Sequence, residues 1–238
     1  MAQGSGPTIA DRLAGIRERI AAAARSVGRD PSSIRLVAVS KTFPIDAVRE
    51  AYAAGQRDFG ENRVQEALQK IASGTDLDIR WHLLGHLQTN KARKAAPSFA
   101  TIHSVDSVEL LQKIDAAAAE AGRTPELLIQ VDLAGEATKF GVPPEDVPRL
   151  FDAAVACRAA KVTGLMTLPP VPDSPDDARP WFTRLRGLRD QWLAADVPAS
   201  MLTELSMGMS ADFEVAIQEG STMIRVGTAI FGSRHVQA

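Results

Sequence analysis

One cysteine, one tyrosine and a net charge of −2 among 238 residues close off several function classes before any motif is considered. With Cys157 alone no internal disulfide can form, which fits a reducing cytoplasm. The residue itself reads as a small apolar side chain buried on a helix. Lys and Arg total 27 against 29 Asp and Glu, so no overall field draws the chain to nucleic acid or to an anionic membrane. No apolar run approaches the roughly 18 residues that a membrane span needs. Residues 1–7 (MAQGSGP) show no basic segment followed by an apolar core, so no secretory signal is expected. Linkers, low-complexity tracts and short-period repeats are missing too, and the proline-rich stretch at 169–175 reads as a stiff loop. The expectation is a cytoplasmic protein whose whole length, 1–238, forms one domain.

What the chain does have is alternation. Ile9, Leu13, Ile16 and Ile20 fall at helical spacing and predict a helix over 8–27. Eight short apolar runs follow, at 34–40, 58–60, 81–85, 101–104, 127–132, 162–166, 202–206 and 223–227. Amphipathic stretches lie between them at 44–54, 61–73, 88–95, 106–121, 144–159, 175–195 and 210–219, and a short helix is expected after the last run. Eight strands alternating with helices predict a single (β/α)8 TIM barrel with an extra N-terminal helix. The alternative, a doubly wound open sheet, would want a glycine-rich dinucleotide turn after an early strand, and none is present.

In such a barrel the C-terminal strand ends carry the site. Lys41 follows the first run, and Pro44 says that the strand has stopped. A lysine at the mouth of a buried strand has two readings. It snorkels to solvent, or desolvation lowers its pKa and makes it an amine able to form a Schiff base with an aldehyde. Taken alone, Lys41 favours the first. After the seventh and eighth runs come Gly208, Ser210, Gly227 and Thr228, small donor-rich positions expected at helix starts, where barrels often bind phosphate. Ser210 also reads as a plain helix cap, which is compatible with that role. A Schiff-base lysine facing a phosphate cup suggests pyridoxal phosphate. Arg225, just before the cup, would then face the pyridine nitrogen, and its permanent charge would disfavour protonating that atom and leave a weak electron sink. A strand-end salt bridge is the plainer reading of Arg225.

Eight stretches carry a resemblance that covers nearly the whole chain: LVAVSKTFP at 36–44, FGENRVQE at 59–66, WHLLGHLQTNK at 81–91, HSVD at 103–106, KFG at 139–141, GLM at 164–166, LSMGMSAD at 205–212 and STMIRVGTAIFG at 221–232. Together they are highly specific, and the sequence closely resembles the pyridoxal phosphate homeostasis proteins, single-domain relatives of the alanine racemase N-terminal barrel. The resemblance implies that Lys41 carries the cofactor as an internal aldimine. It implies that Ser206, Ser210, Gly227 and Thr228 hold the phosphate and that Arg225 approaches the ring nitrogen. Asn62 and Met166 look like neighbours of the ring, and His86, at the rim, like a neighbour of the cofactor. Lys139 matches a family lysine able to receive the aldehyde when it leaves Lys41; the other reading, an exposed loop lysine, stays open. Arg63 stands where relatives commonly have an aromatic. The spacing of His82 and His86 serves metal on a helix, but here it begins in a strand and no carboxylate joins it, so no metal is expected.

The remaining question at this level is enzyme or carrier. Racemisation needs two acid–base groups, one on each face of the cofactor. Two-domain racemases of this type take the second from a tyrosine beyond the barrel, and six residues after Gly232 leave no room for that domain. The only tyrosine, Tyr52, lies on a helix facing away from the strand ends. The expectation is therefore a non-catalytic protein, a monomer, that holds pyridoxal 5′-phosphate and delivers it, with apo forms of cofactor-dependent enzymes as recipients. An amino-acid racemase is the alternative, and a cofactor-free Schiff-base aldolase a third, colourless one.

Overall fold

The N-terminal helix α1 (Ile9–Ser26) starts where its cap chemistry puts it: Thr8 Oγ1 accepts from Asp11 N–H at 3.1 Å, and the Asp11 carboxylate accepts from Thr8 N–H at 2.9 Å. Its buried stripe, Ile9, Leu13, Ile16 and Ile20, is the one read from the spacing. The computed structural model describes residues 6–135 and 140–232. Lys139 lies outside them.

Eight parallel strands follow: β1 (Arg35–Val39), β2 (Asp58–Glu61), β3 (Arg80–Leu83), β4 (Thr101–Val105), β5 (Glu126–Gln130), β6 (Lys161–Met166), β7 (Glu204–Ser206) and β8 (Met223–Val226). Each pairs with the next, and β1 pairs with β8, so the sheet closes in the order β1 to β8. Around it run α2 (Ile45–Ala53), α3 (Val64–Ser73), α4 (Ala92–Ala95), α5 (Val108–Glu120), α6 (Val147–Val155), α7 (Arg179–Ala194), α8 (Phe213–Gln218) and α9 (Thr228–Phe231). Helix α1 packs in this outer layer, against α2, α8 and α9. This is the expected (β/α)8 barrel with an added helix.

Several helices are shorter than the spacing predicts, for identifiable reasons. The stretch 144–159 yields α6 only to Val155. Beyond it the Asp115 carboxylate accepts the N–H groups of Arg158, Ala159 and Ala160 at 2.8–3.0 Å and draws the chain toward β6. Cys157 therefore sits half-buried just past the helix rather than on it. Ser210 does not begin a helix: α8 starts at Phe213, because Asp212 Oδ1 accepts Met209 N–H at 2.6 Å and holds 209–212 as a turn. Tyr52 lies at the opposite end of the barrel from the C-terminal strand ends, its hydroxyl accepting from Asp78 N–H at 3.3 Å.

Strand alternation sends Leu36 and Ala38 outward into the main core under the helices, and Val37 and Val39 inward, where they meet Leu84. A second inward cluster joins Leu128, Met166 and Met223. Barrel interiors are usually filled by branched apolar side chains. Here the rest of the interior includes four polar ones, His82, His103, Ser206 and Arg225, each at most 4% exposed.

Candidate functional site

A cavity of about 500 Å³ opens at the C-terminal strand ends. Its walls are Val39, Phe43, Leu84, Leu168 and Met209, and its polar lining is Lys41, Asn62, Ser210, Arg225, Gly227 and Thr228. An apolar cleft with a few convergent polar groups is the usual form of a small-molecule site. Volume alone does not select it. Depressions of about 600 and 390 Å³ lie at the opposite end, but there Arg35 pairs with Glu126 and Glu204, and Arg80 with Asp58. Among the described residues lining the C-terminal cavity there is no carboxylate.

Lys41 sits in a turn held from below. Phe43 N–H donates to Ser40 O at 3.0 Å, and Thr42 adopts φ +68°, a conformation uncommon outside glycine. Helix α3 pins both flanks: Lys70 Nζ donates to Ser40 O at 2.8 Å, and Glu66 Oε1 accepts Thr42 N–H at 2.5 Å. Glu61, fully buried at the end of β2, accepts from Ser40 Oγ and from Lys70 Nζ, each at 2.7 Å, while its Oε2 has no partner among the described residues. Burial pushes the Glu61 carboxyl above the usual range, against the pull of Lys70 and Ser40.

Across the cavity, the loops after β7 and β8 form a cup. Gly227 N–H donates to Ser210 Oγ at 3.2 Å, and Thr228 Oγ1 donates to the same oxygen at 3.5 Å. Backbone N–H groups of Ser210, Ala211 and Thr228 have no protein acceptor among the described residues. Gly208 makes the tight return possible. Its φ is +94°, and a Cβ there would stand 2.5 Å from Ala216 Cβ and 3.0 Å from Phe213 Cα. Arg225 forms the floor. Its Nη1 donates to Ser206 Oγ at 2.6 Å and its Nη2 to Thr167 O at 3.0 Å. Burial pulls its pKa down to about 10, opposed by Asp212, so it stays cationic at neutral pH.

Six of the nine residues singled out in the sequence thus share one cavity: Lys41, Asn62, Ser210, Arg225, Gly227 and Thr228. The other three do not line it. Met166 is fully buried in the barrel interior. Ser206 is fully buried beneath Arg225, its oxygen already engaged. His86 lines a neighbouring depression of about 510 Å³ that shares Asn62 with the cavity. There it meets Asp106 at 3.3 Å and stacks on Phe140 with ring centres 3.6 Å apart. Burial raises the Asp106 pKa, opposed by His86. Sequence reasoning missed Glu61, Glu66 and Lys70. The Glu66–Lys70 spacing of four was the one available signal, and it usually marks a solvated helix face.

The family profile described as "Alanine racemase, N-terminal domain" matches residues 12–235. The pyridoxal phosphate homeostasis protein of Aquifex aeolicus is 44% identical over 224 residues, 94% of this chain and 97% of that protein. Its counterpart from Pseudomonas aeruginosa is 45% identical over 228 residues, 95% of this chain and 96% of that protein. The structure of PipY from Synechococcus elongatus, solved with PLP bound, is similar with a TM-score of 0.81 and 45% identity, covering 94% of this chain and all of that one. Alanine racemase of Clostridium difficile shares the fold alone, with a TM-score of 0.72 at 16% identity over 95% of this chain and 58% of its own.

Proposed function

This chain belongs to the alanine racemase N-terminal domain family and, within it, to the pyridoxal phosphate homeostasis proteins; from that premise we propose that it binds pyridoxal 5′-phosphate in the C-terminal cavity, on Lys41, and hands it on without turnover of its own. When bound, the cofactor brings an aldehyde, a phosphate and a ring nitrogen. The cavity offers a partner for each. The Lys41 amine would condense with the aldehyde, water leaving. Ser210, Thr228 and the free N–H groups beside them would receive the phosphate, and Arg225 would donate to the ring nitrogen. Val39, Phe43, Leu84 and Leu168 supply apolar walls for the ring. The observation that carries the reading is the convergence of Lys41, Arg225 and the Ser210–Thr228 cup on one cavity free of carboxylates among the described residues.

Two features favour a carrier over a racemase. Among the described residues lining the cavity, Lys41 is the only side chain able to serve as a base, whereas racemisation needs one on each face. Arg225 presents donors where a strong electron sink would want a carboxylate. A functional monomer is part of this proposal. Apo forms of cofactor-dependent enzymes are the proposed recipients.

Borohydride reduction of the cofactor-loaded protein followed by peptide mass mapping tests the assignment. The visible absorbance should vanish and the mass be retained on the peptide containing Lys41; a label elsewhere, or none, overturns it. For delivery, an apo enzyme mixed with the loaded protein should regain activity faster than with the same concentration of free cofactor. Equal rates would overturn delivery and leave storage.

A further inference from the structure

The buried polar side chains of the interior form one line. Arg80 pairs with Asp58 near the N-terminal end of β2 and β3, through contacts of 2.8 and 2.5 Å. Asp58 Oδ1 lies 3.0 Å from His82 Nε2, and His82 Nδ1 lies 3.0 Å from His103 Nε2. His103 Nδ1 lies 2.9 Å from Ser206 Oγ, which accepts from Arg225 Nη1 at 2.6 Å. The line therefore runs from the end of the barrel opposite the cavity to the cavity floor.

Proton counting gives it a direction. Asp58 is ionised, its pKa lowered by His82 and Arg80 against the opposing effect of burial, so it only accepts. His82 Nε2 then carries the hydrogen. Burial lowers the pKa of both imidazoles, that of His103 strongly, so each ring holds one proton. His82 Nδ1 is left as an acceptor, so His103 donates from Nε2. His103 Nδ1 in turn accepts, and the hydrogen it takes is that of the Ser206 hydroxyl. That leaves the Ser206 oxygen to accept from Arg225. Every donor points from the guanidinium to the carboxylate.

We propose that His103 is a positioning residue for the cavity floor: through Ser206 in front and His82 and Asp58 behind, it locks Arg225 as a cation whose orientation is set from the far end of the barrel. The consequence for a ligand rests on the function proposed above. Arg225 presents only N–H groups, so a heteroaromatic nitrogen docked against it must be unprotonated and accept.

The test reads the imidazole tautomers by nitrogen-15 NMR in the protein without ligand, and then measures pyridoxal phosphate affinity and absorbance. In the unmodified protein, His82 and His103 should both be neutral with the hydrogen on Nε2. In Asp58→Leu the terminal acceptor is gone. The line should lose its fixed direction, and His103, which does not touch Asp58, should populate the Nδ1 tautomer beside the Nε2 one, since Arg225 alone still favours the latter. Asp58→Asn, which can still accept through Oδ1, should keep more of the Nε2 tautomer than Asp58→Leu. The dissociation constant should rise about tenfold in Asp58→Leu, with a shift of the visible band. A cationic His103, or one protonated at Nδ1 in the unmodified protein, overturns the proposal without reference to any ligand. Tautomer populations that shift while affinity and band stay fixed overturn the positioning role. Correct tautomers in a protein that binds no pyridoxal phosphate would instead sink the proposed function and leave the line intact.

Discussion

Lys70 Nζ donates to the carbonyl oxygen of Ser40 at 2.8 Å, so a lysine of helix α3 holds the residue immediately before Lys41. The same ammonium bridges Glu61 and Glu66 at 2.7 and 3.0 Å. The turn that presents Lys41 is thus fixed by a buried charge cluster rather than by apolar packing.

Replacing Lys70 by Met should therefore affect both stability and the site. It leaves Glu61 buried without its counter-ion, a change that costs about 3–5 kcal/mol when the orphaned charge cannot escape. Glu61 can escape by taking a proton. Its folded pKa is already raised by burial, so its contribution is full below the ordinary glutamate value near ~4.3 and is lost as pH rises through the folded value. Without Lys70 that value climbs further. The stability deficit of Lys70→Met should widen from about pH 5 to about pH 8 in urea unfolding, and borohydride labelling of Lys41 should fall with it. A deficit independent of pH would mean that Glu61 is not the group responsible.

Gly208→Ala should damage the cup. The left-handed backbone there and the close approach of Ala216 and Phe213 leave no room for a methyl group. Strain and overpacking of this kind cost about 1–3 kcal/mol each. Thermal unfolding should show the loss, and affinity for inorganic phosphate or pyridoxal phosphate should drop while Lys41 and Arg225 remain in place. Unchanged anion affinity in a folded Gly208→Ala protein would remove this loop from the binding site.

The fold was legible because each strand is a short apolar run and each helix an amphipathic one, and those periods depend only on neighbours in sequence. The rim residues Lys41, Ser210, Gly227 and Thr228 were legible because barrel geometry gathers whatever follows each strand. The interior was not. His82, His103 and Ser206 come from β3, β4 and β7, and nothing in a strand of three to five residues says that its polar side chain faces another across the barrel. Glu61 read as the first residue of the amphipathic stretch 61–73 rather than the last of a strand, because a carboxylate rarely ends a buried strand. Its partner Lys70, nine residues on, becomes visible only when α3 packs back. Ser210 read as a helix start because the Asp212 contact that delays α8 is a matter of turn geometry rather than composition.

A cavity with one base should not racemise amino acids. With pyridoxal phosphate bound, conversion of L-alanine to D-alanine should not exceed that of the free cofactor at equal concentration, and Lys41→Ala should leave that background unchanged. Chiral chromatography of the product mixture measures it. A rate well above the background that disappears in Lys41→Ala would make the protein a racemase and point to a second base outside the described lining.

Asp115 provides the cleanest acid-side prediction, because its carboxylate replaces the missing helical partners of three consecutive N–H groups, those of Arg158, Ala159 and Ala160. Burial alone would raise its pKa, but these three backbone donors outweigh burial and hold it below the usual aspartate value. An acid with a depressed folded pKa adds stability above its unfolded value, about 3.9, and that stability is lost as pH falls through the folded value. The side chain is only half-buried, so solvent screening trims the contribution of the charged bonds to about 1–2 kcal/mol in total. Asp115→Ala should lower unfolding free energy by that amount at about pH 7, and the gap to the unmodified protein should narrow in acid below about pH 4. Cys157, whose thiol is pushed up to about 11 by burial and the nearby Asp115 charge, gives a local readout of the same event. In the native protein it should resist thiol reagents at neutral pH, and in Asp115→Ala, where the chain from 156 to 160 loses its anchor, it should react faster well before global unfolding. Equal thiol reactivity in the two proteins would show that the turn is held by the packing of α6 and not by the carboxylate.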